Sequence, residues 1–304
     1  MNDFSPEEHR YDFVYLYDVR DGNPNGDPDA DNQPRIDPET MQGLITDVCL
    51  KRKVRNFVHA KRKDTTGFDV YVQDGAVLND LSDEVAATVA AKHTDATSGE
   101  SKKKKGAEKR DMTTANRDAM CARFYDIRTF GAVLNTGADA SKGGQVRGPI
   151  QLTFGRSEDP ITILEHSITR CAVTKKEDEH KERTMGRKHT VPYALYRTHG
   201  FVTPSFAHVT KFSGDDLGLF FEALGNMFEI DRSAARGLMS AQGLYVFEHT
   251  SPLGNAPAHR LFKSIDITRR DDDPPRDFGA YVVKAPPPGP LADFPGVTLH
   301  VLPV

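Results

Sequence analysis

Two loops hold residue types that could do chemistry. Asp21-Gly22-Asn23-Pro24-Asn25-Gly26 begins like a calcium-binding EF-hand loop, in which alternate Asp and Asn oxygens ring the ion. The pattern then breaks: Asn32 stands where a bidentate Glu is needed, and prolines occupy 24 and 28. Asp27, Asp29 and Asp31 could instead hold a catalytic metal for a nuclease, but ligands on such a loop need a scaffold to fix them. The plainer reading is a turn-rich loop whose Asp and Asn side chains satisfy their own backbone. No metal and no cofactor is assigned. The second loop, TGADASKGGQVRG at 136–148, is not a P-loop, because Lys142 precedes Gly143 and Gly144 instead of following a glycine and preceding Ser or Thr. Its glycines still allow close backbone approach. With Lys142, Gln145 and Arg147 beside them they could press N–H groups onto phosphates, or the segment could simply connect two elements.

The eleven histidines fall in no zinc-protease pattern, and no nucleophile elbow occurs. His180 and His189 could form a general acid–base pair for RNA cleavage; polar surface histidines are the commoner case. His166, His199 and His208 are read as structural.

Charge segregation is the stronger signal. Residues 45–63 carry Lys51, Arg52, Lys53, Arg55, Lys61, Arg62 and Lys63 against the single acid Asp47. A solvated helix face normally intersperses acids among its cations. A second stretch, TKKEDEHKERTMGRKHT at 174–190, holds six Lys and Arg against four acids. It sets Met185 beside Gly186, Arg187, Lys188 and His189. An apolar tip flanked by cations can wedge between bases while the cations hold phosphates; a surface hairpin with no partner is the competing reading.

These segments need a framework. Residues 11–19, YDFVYLYDV, predict a central strand, and 20–40 a long Pro/Asp/Asn loop. Residues 41–63 predict a helix, 68–78 a short strand pair or extended segment, and 80–93 a small helix. A lysine-rich surface loop follows at 94–111, then a helix at 112–126 running into a strand or helix end at 127–135. Strands are expected at 149–155, 161–173, 191–206, 243–249 and 260–267. The best amphipathic helix is 215–230, with Ser213 and Asp215 as capping candidates. A tail starts at 271, with a last strand possible at 279–284. The order suggests an α+β fold with helices on one face of a sheet, ferredoxin-like or RRM-like. It reads as a single domain over 1–304 with insertions at 64–111 and 174–190.

Composition bounds the rest. In 304 residues there is no apolar run long enough to span a membrane, and 17 Phe and 9 Tyr exclude a disordered chain. The net charge of −4 would by itself argue against a nucleic-acid partner, but a sum hides its distribution. Cys49, Cys121 and Cys171 stand alone, with no C-x-x-C pair. They suit buried, reduced thiols, and with no secretory signal at the start a cytoplasmic location is expected.

The stretch YDFVYLYDVRDGNPNGDPDADNQPRIDPETMQGLITDVCLKRKVRNFV resembles the N-terminus of the CRISPR-associated backbone subunit of subtype I-C, of the Cas-seven family. The likeness continues through ARFYDIRTFGAVL at 122–134, GGQVRGPIQLTFGRS at 143–157 and TMGRKHTVPYALYRTHGFV at 184–202. It covers residues 10 to about 270 and weakens in the lysine-rich loop and the tail.

The resemblance implies an RRM-like palm, helical fingers at 64–111 and a protruding thumb hairpin at 174–190. It implies several copies lined up along one CRISPR guide RNA, with each thumb turning out a base and touching the next copy. Guide bases between thumbs would pair with target DNA. Implied partners are the guide RNA, target DNA through it, other copies of the chain, the guide-processing, large and small Cascade subunits, and a recruited helicase-nuclease; no membrane is involved. Implied guide contacts are Arg35, Lys51, Arg52 and Arg55; Lys142, Gln145 and Arg147; and Lys175, Lys176, Arg187, Lys188 and His189, with Met185 as the wedge. The implied role is binding, not cutting. The alternative is a metal- or histidine-dependent ribonuclease acting on CRISPR or target RNA. A protein that coats any spacer must avoid reading bases, so phosphate contacts and shape should dominate.

Overall fold

The computed structural model describes residues 4–96, 105–134, 143–173, 175–176 and 185–304. In chain order its strands and helices are β1 (Tyr11–Gly22), β2 (Gly26–Asp27), β3 (Gln33–Pro34), β4 (Gln42–Ile45), α1 (Asp47–Arg62), α2 (Leu78–Ala96), α3 (Lys105–Arg123), α4 (Tyr125–Phe130), β5 (Gly131–Leu134), β6 (Gly144–Arg147), β7 (Ile150–Leu152) and β8 (Gly155–Pro160). Then follow β9 (Leu164–Thr169), β10 (Met185–Val202), α5 (Pro204–Thr210), α6 (Gly214–Ile230), β11 (Leu238–His249), α7 (Ala258–Lys263), β12 (Asp266–Arg269), β13 (Tyr281–Lys284), β14 (Gly289–Pro290) and β15 (Val297–Leu302).

The result is a mixed α/β protein built on one large antiparallel sheet in the order β14-β15-β11-β1-β10-β8-β4, with β7 and β9 also pairing to β10. β1 lies between β10 and β11, each bonded along most of its length. Its period of two explains the position. Phe13, Tyr15 and Tyr17 enter one apolar cluster with α1 and α6, whereas Val14 and Leu16 enter a second with Phe247, Leu261, Phe262 and Tyr281. A strand buried on both faces reads as an unbroken apolar run. Gly200 on β10 permits part of this packing, because a Cβ there would sit 2.0 Å from the Phe13 ring. A third cluster, centred on Tyr71, Val85, Met120, Phe124 and Leu134, joins α2, α3 and the β5–β6 hairpin.

Several predicted boundaries shift. The helix expected over 41–63 begins at Asp47, because Thr46 caps it: the hydroxyl accepts from Cys49 N at 3.3 Å. Asn25 Oδ1 orients that cap by accepting from Thr46 N at 2.9 Å and Oγ1 at 3.0 Å. Residues 42–45 are instead a strand paired with β8. Residues 68–78 form no strand; their one β contact is an isolated bridge from Asp69 to Phe124. The lysine-rich loop narrows, since α2 runs to Ala96 and α3 starts at Lys105.

At 215–230 the helix stands, with a capping box in which Ser213 Oγ accepts from Asp216 N and the Asp216 carboxylate accepts from Ser213 N. The strand expected at 260–267 is α7 followed by β12. The tail is not a tail: β15 extends the main sheet beyond β11. Cys49 is half-buried and Cys121 buried, but Cys171 is exposed, against the expectation for all three. Among the described residues no helix is long and apolar enough to cross a membrane.

Candidate nucleic-acid interface

β10 is 18 residues long, and only the part from Val191 onward pairs with β1 in the body of the sheet. Its first six residues pair with β9, from Met185 opposite Thr169 to Thr190 opposite Leu164. This makes a two-stranded arm continuous with a central strand. Every residue of β9 is exposed. The period-two rule sorts the arm into two faces. Met185, Arg187, Glu165 and Ser167 share one; Lys188, Leu164, His166 and Ile168 share the other. Met185 is 68% exposed at the outer end. Arg187 Nε lies 3.2 Å from Glu165 Oε1, both well exposed, so the pair holds the guanidinium only weakly. Lys175 and Lys176 are exposed beyond the outer end of β9.

The strand pairing that carries the insertion expected at 174–190 begins at Leu164, and Met185 sits on a strand at the outer end of this arm. Alternation within 164–169 was the available signal. Arg170, exposed just past β9, is an arm cation that reading by charge runs missed. Lys188 turns inward and donates to the Ala234 carbonyl. His189 is buried at the root, with Nε2 4.0 Å from Asp31 Oδ2.

The glycine-rich segment is half strand. Residues 144–147 pair with β5, placing Gln145 opposite Val133 and Arg147 opposite Gly131. Gly131 turns with φ +84°, where a Cβ would meet the Val146 carbonyl oxygen at 2.4 Å. Gly143 N donates to Leu134 O at 3.1 Å, so that amide closes the hairpin and is not offered to a phosphate. Gln145 and Arg147 are exposed on β6. Lys142 lies outside the described residues.

On α1 the local count of acids misled. Lys51 Nζ donates to Asp47 at 2.9 Å and lies over the Phe130 ring. Arg52 Nη1 donates to the Val72 carbonyl at 2.6 Å. Lys53 is buried and paired with Asp231, while Arg55 Nε donates to buried Asp126 at 2.7 Å. Lys61 pairs with Glu222. Apart from Asp47, the acids that pair with this helix come from positions 71 to 178 residues away. The helix is thus a hub of internal ion pairs as much as an open cationic face.

The acidic loop behaves as a turn. Asp27 Oδ1 accepts from Asp29 N at 3.2 Å and its Oδ2 accepts from Arg35 Nη1 at 3.1 Å. Among the described residues no three His, Cys, Asp or Glu side chains come together to hold a metal ion. His180 lies outside the described residues, so its pairing with His189 has no described geometry. Burial raises the Cys49 thiol and pushes that of Cys121 to about 11, which keeps both protonated.

Residues 9–286 match the family model for CRISPR-associated protein Cas7. The chain belongs to the Cas7 family. A CRISPR-associated protein Cas7 of Haloferax volcanii is 48% identical over 65 residues, which are 21% of this chain and 18% of that relative. The aligned stretch is thus under a fifth of the relative's length. Solved structures similar to this Cas7-family chain include a chain of a CRISPR RNA-guided surveillance complex, pre-nicking, at 12% identity and TM-score 0.48, covering 78% of both chains. Another is a chain of a type III-B Cmr-beta complex bound to cognate target RNA, at 10% identity and TM-score 0.42, covering 79% of this chain and 62% of that one.

Proposed function

We propose that this Cas7-family chain is a non-catalytic guide-RNA-binding backbone subunit of a type I-C Cascade complex. Copies polymerise along the spacer and present it for pairing with target DNA. The guide-processing, large and small subunits and a helicase-nuclease complete the system in the cytoplasm. One observation carries the binding role. The arm projects a 68% exposed Met185 next to an exposed Arg187, on a strand anchored in the centre of the sheet. An apolar tip on a stiff element beside phosphate-binding cations can part stacked bases without reading them.

The RRM-like palm is supported by the antiparallel order β11-β1-β10-β8 with α1 and α6 packed in one apolar cluster. The α2–α3 unit with its own apolar cluster is the finger, and the β9–β10 arm is the thumb. The proposed direct contacts are Lys175, Lys176, Met185 and Arg187 on the arm, with Gln145 and Arg147 on the β5–β6 hairpin, and Lys142, which lies outside the described residues. Arg35, Lys51, Arg52, Arg55, Lys188 and His189 complete the proposed surface, but as groups already held by internal partners or buried. Their part is to shape it.

Sequencing the nucleic acid that copurifies with the chain tests the reading. Repeat-flanked spacer RNA is expected. Random cellular RNA bound with the same affinity, or cleavage of the bound RNA, would overturn it.

A further inference from the structure

Between α6 and β11 the chain turns through residues 231–237, and this loop is locked to the body at both ends. The Asp231 side chain is 5% exposed and takes a cation on each carboxylate oxygen. Lys53 Nζ of α1 donates to Oδ2, and Arg236 Nη1 donates to Oδ1 at 2.6 Å. The Lys53 side chain is itself 2% exposed, so a loop that moved away would strand a buried charge. Asn23 N donates to the Ala235 carbonyl at 2.8 Å. Two glycines let the loop press on the end of β1. A Cβ on Gly22 would sit 1.9 Å from the Arg236 carbonyl oxygen, and one on Gly237, at φ +62°, would sit 2.3 Å from the Arg20 carbonyl oxygen.

The loop held in this way meets the arm. Its Ala234 carbonyl accepts from Lys188 Nζ, close to the Val191–Gly22 pair at which β10 parts from β1. Before that pair, β10 has β9 as its strand partner, and a two-stranded ribbon has little stability of its own. The neighbouring His189 is buried, but its Nε2 has no hydrogen-bond partner. Among the described residues 185–189, Lys188 is thus the side chain that hydrogen-bonds to the body of the protein.

We infer that Lys53, Asp231 and Arg236 are positioning residues for the arm: they fix the 231–237 loop, and the loop fixes the arm through Lys188. The Lys188 ammonium is committed to a carbonyl of the protein and does not serve a phosphate. The angle of the arm is thereby referred to α1 and β1, and with it the place at which Met185 and Arg187 are presented. The distance from arm to body does not depend on what the arm binds. Only the RNA measurement below rests on the guide-RNA reading.

Two spin labels on the full chain, stripped of nucleic acid, test this. One is placed on Cys171, exposed just past β9, and one on α5 through Val209→Cys, at a position 52% exposed. The buried Cys121 and half-buried Cys49 thiols react slowly. Pulsed electron spin resonance gives the distribution of distances between the labels. Lys188→Met should raise the population of displaced arm positions about fivefold, the shift that loss of one hydrogen bond supplies, and Lys188→Arg should restore the wild-type distribution. Arg236→Ala keeps Lys53 paired with Asp231, and among the described residues Arg236 has no hydrogen bond or ion pair to the arm. It should nevertheless broaden the distribution in the same direction. A wild-type distribution in either Lys188→Met or Arg236→Ala overturns the inference, because the network would then serve stability alone. In a titration of spacer RNA, Lys188→Met should leave the salt slope unchanged. A slope lowered by about one would make Lys188 a phosphate contact and overturn its positioning role. Absence of RNA binding would overturn the guide-RNA reading, and the distances would still decide the positioning.

Discussion

Replacing Arg55 with Ala separates a structural cation from a nucleic-acid contact on the same helix. Arg55 Nε donates to Asp126 Oδ2 at 2.7 Å, and Asp126 is 1% exposed. Removing one partner of a buried pair typically costs about 3–5 kcal/mol, because the other charge stays behind unpaired. Asp126 keeps two backbone donors, Tyr71 N at 2.8 Å and Val72 N at 3.1 Å, which places the cost at the low end, about 3 kcal/mol. The guanidinium also lies 5.2 Å from the Phe130 ring centroid, a contact that adds about 0.5–1 kcal/mol. With an unfolding entropy of about 2.1 cal/mol/K per residue, the whole chain should lose about 5 °C in melting temperature. The assay is thermal unfolding by calorimetry, run beside a fluorescence titration of spacer RNA at several salt concentrations. The expected result is a lower Tm with the salt slope of RNA binding unchanged. A wild-type Tm combined with a slope reduced by about one would show that Arg55 serves phosphate and that the internal pair contributes little.

Three further outcomes follow from the same contacts. Arg187→Ala, on the exposed arm, should leave the unfolding free energy within about 0.5 kcal/mol of wild type while lowering the magnitude of the RNA salt slope by about one; an unchanged slope would remove Arg187 from the interface. Ser213→Ala removes half of the α6 capping box and should cost about 1 kcal/mol in urea unfolding, with no loss indicating that Asp216 alone holds the helix start. Burial, and secondarily the charge of Arg197, lower His199 to about 4 from its ordinary 6.5. The unfolded chain then takes up a proton that the folded one refuses. His199 therefore leaves stability intact above pH 6.5 and erodes it as pH falls from 6.5 toward 4. His199→Gln should flatten the measured stability-against-pH curve across that window, and an unaltered curve would show that the ring is solvated.

Local chemistry was legible where it is short-range. The aromatic alternation of 11–19 marked a central strand, and Ser213 ahead of an amphipathic run marked the start of α6. The motifs spread along the chain pointed to the family that the match over 9–286 shows. Boundaries failed where a neighbour decided them. Residues 42–45 read as joined to the helix that follows them but extend because β8 offers them a ladder. Residues 297–302 looked like an irregular tail because their partner, β11, lies some fifty residues back. The strand expected over 161–173 was legible, but not its partner, because the residues it pairs with begin at 185.

By itself the sequence determined which elements are amphipathic, where cations gather and which family's motifs the chain carries. Those properties depend on residues a few positions apart. Only the tertiary structure decided which cations remain available. Lys53 meets Asp231, Arg55 meets Asp126 and Lys61 meets Glu222 across long separations. Arg187, among the described residues, pairs with the exposed carboxylate of Glu165 on a two-stranded arm. Coulombic pairing and desolvation act through space, so charge counted along the chain names candidates, and the fold selects among them.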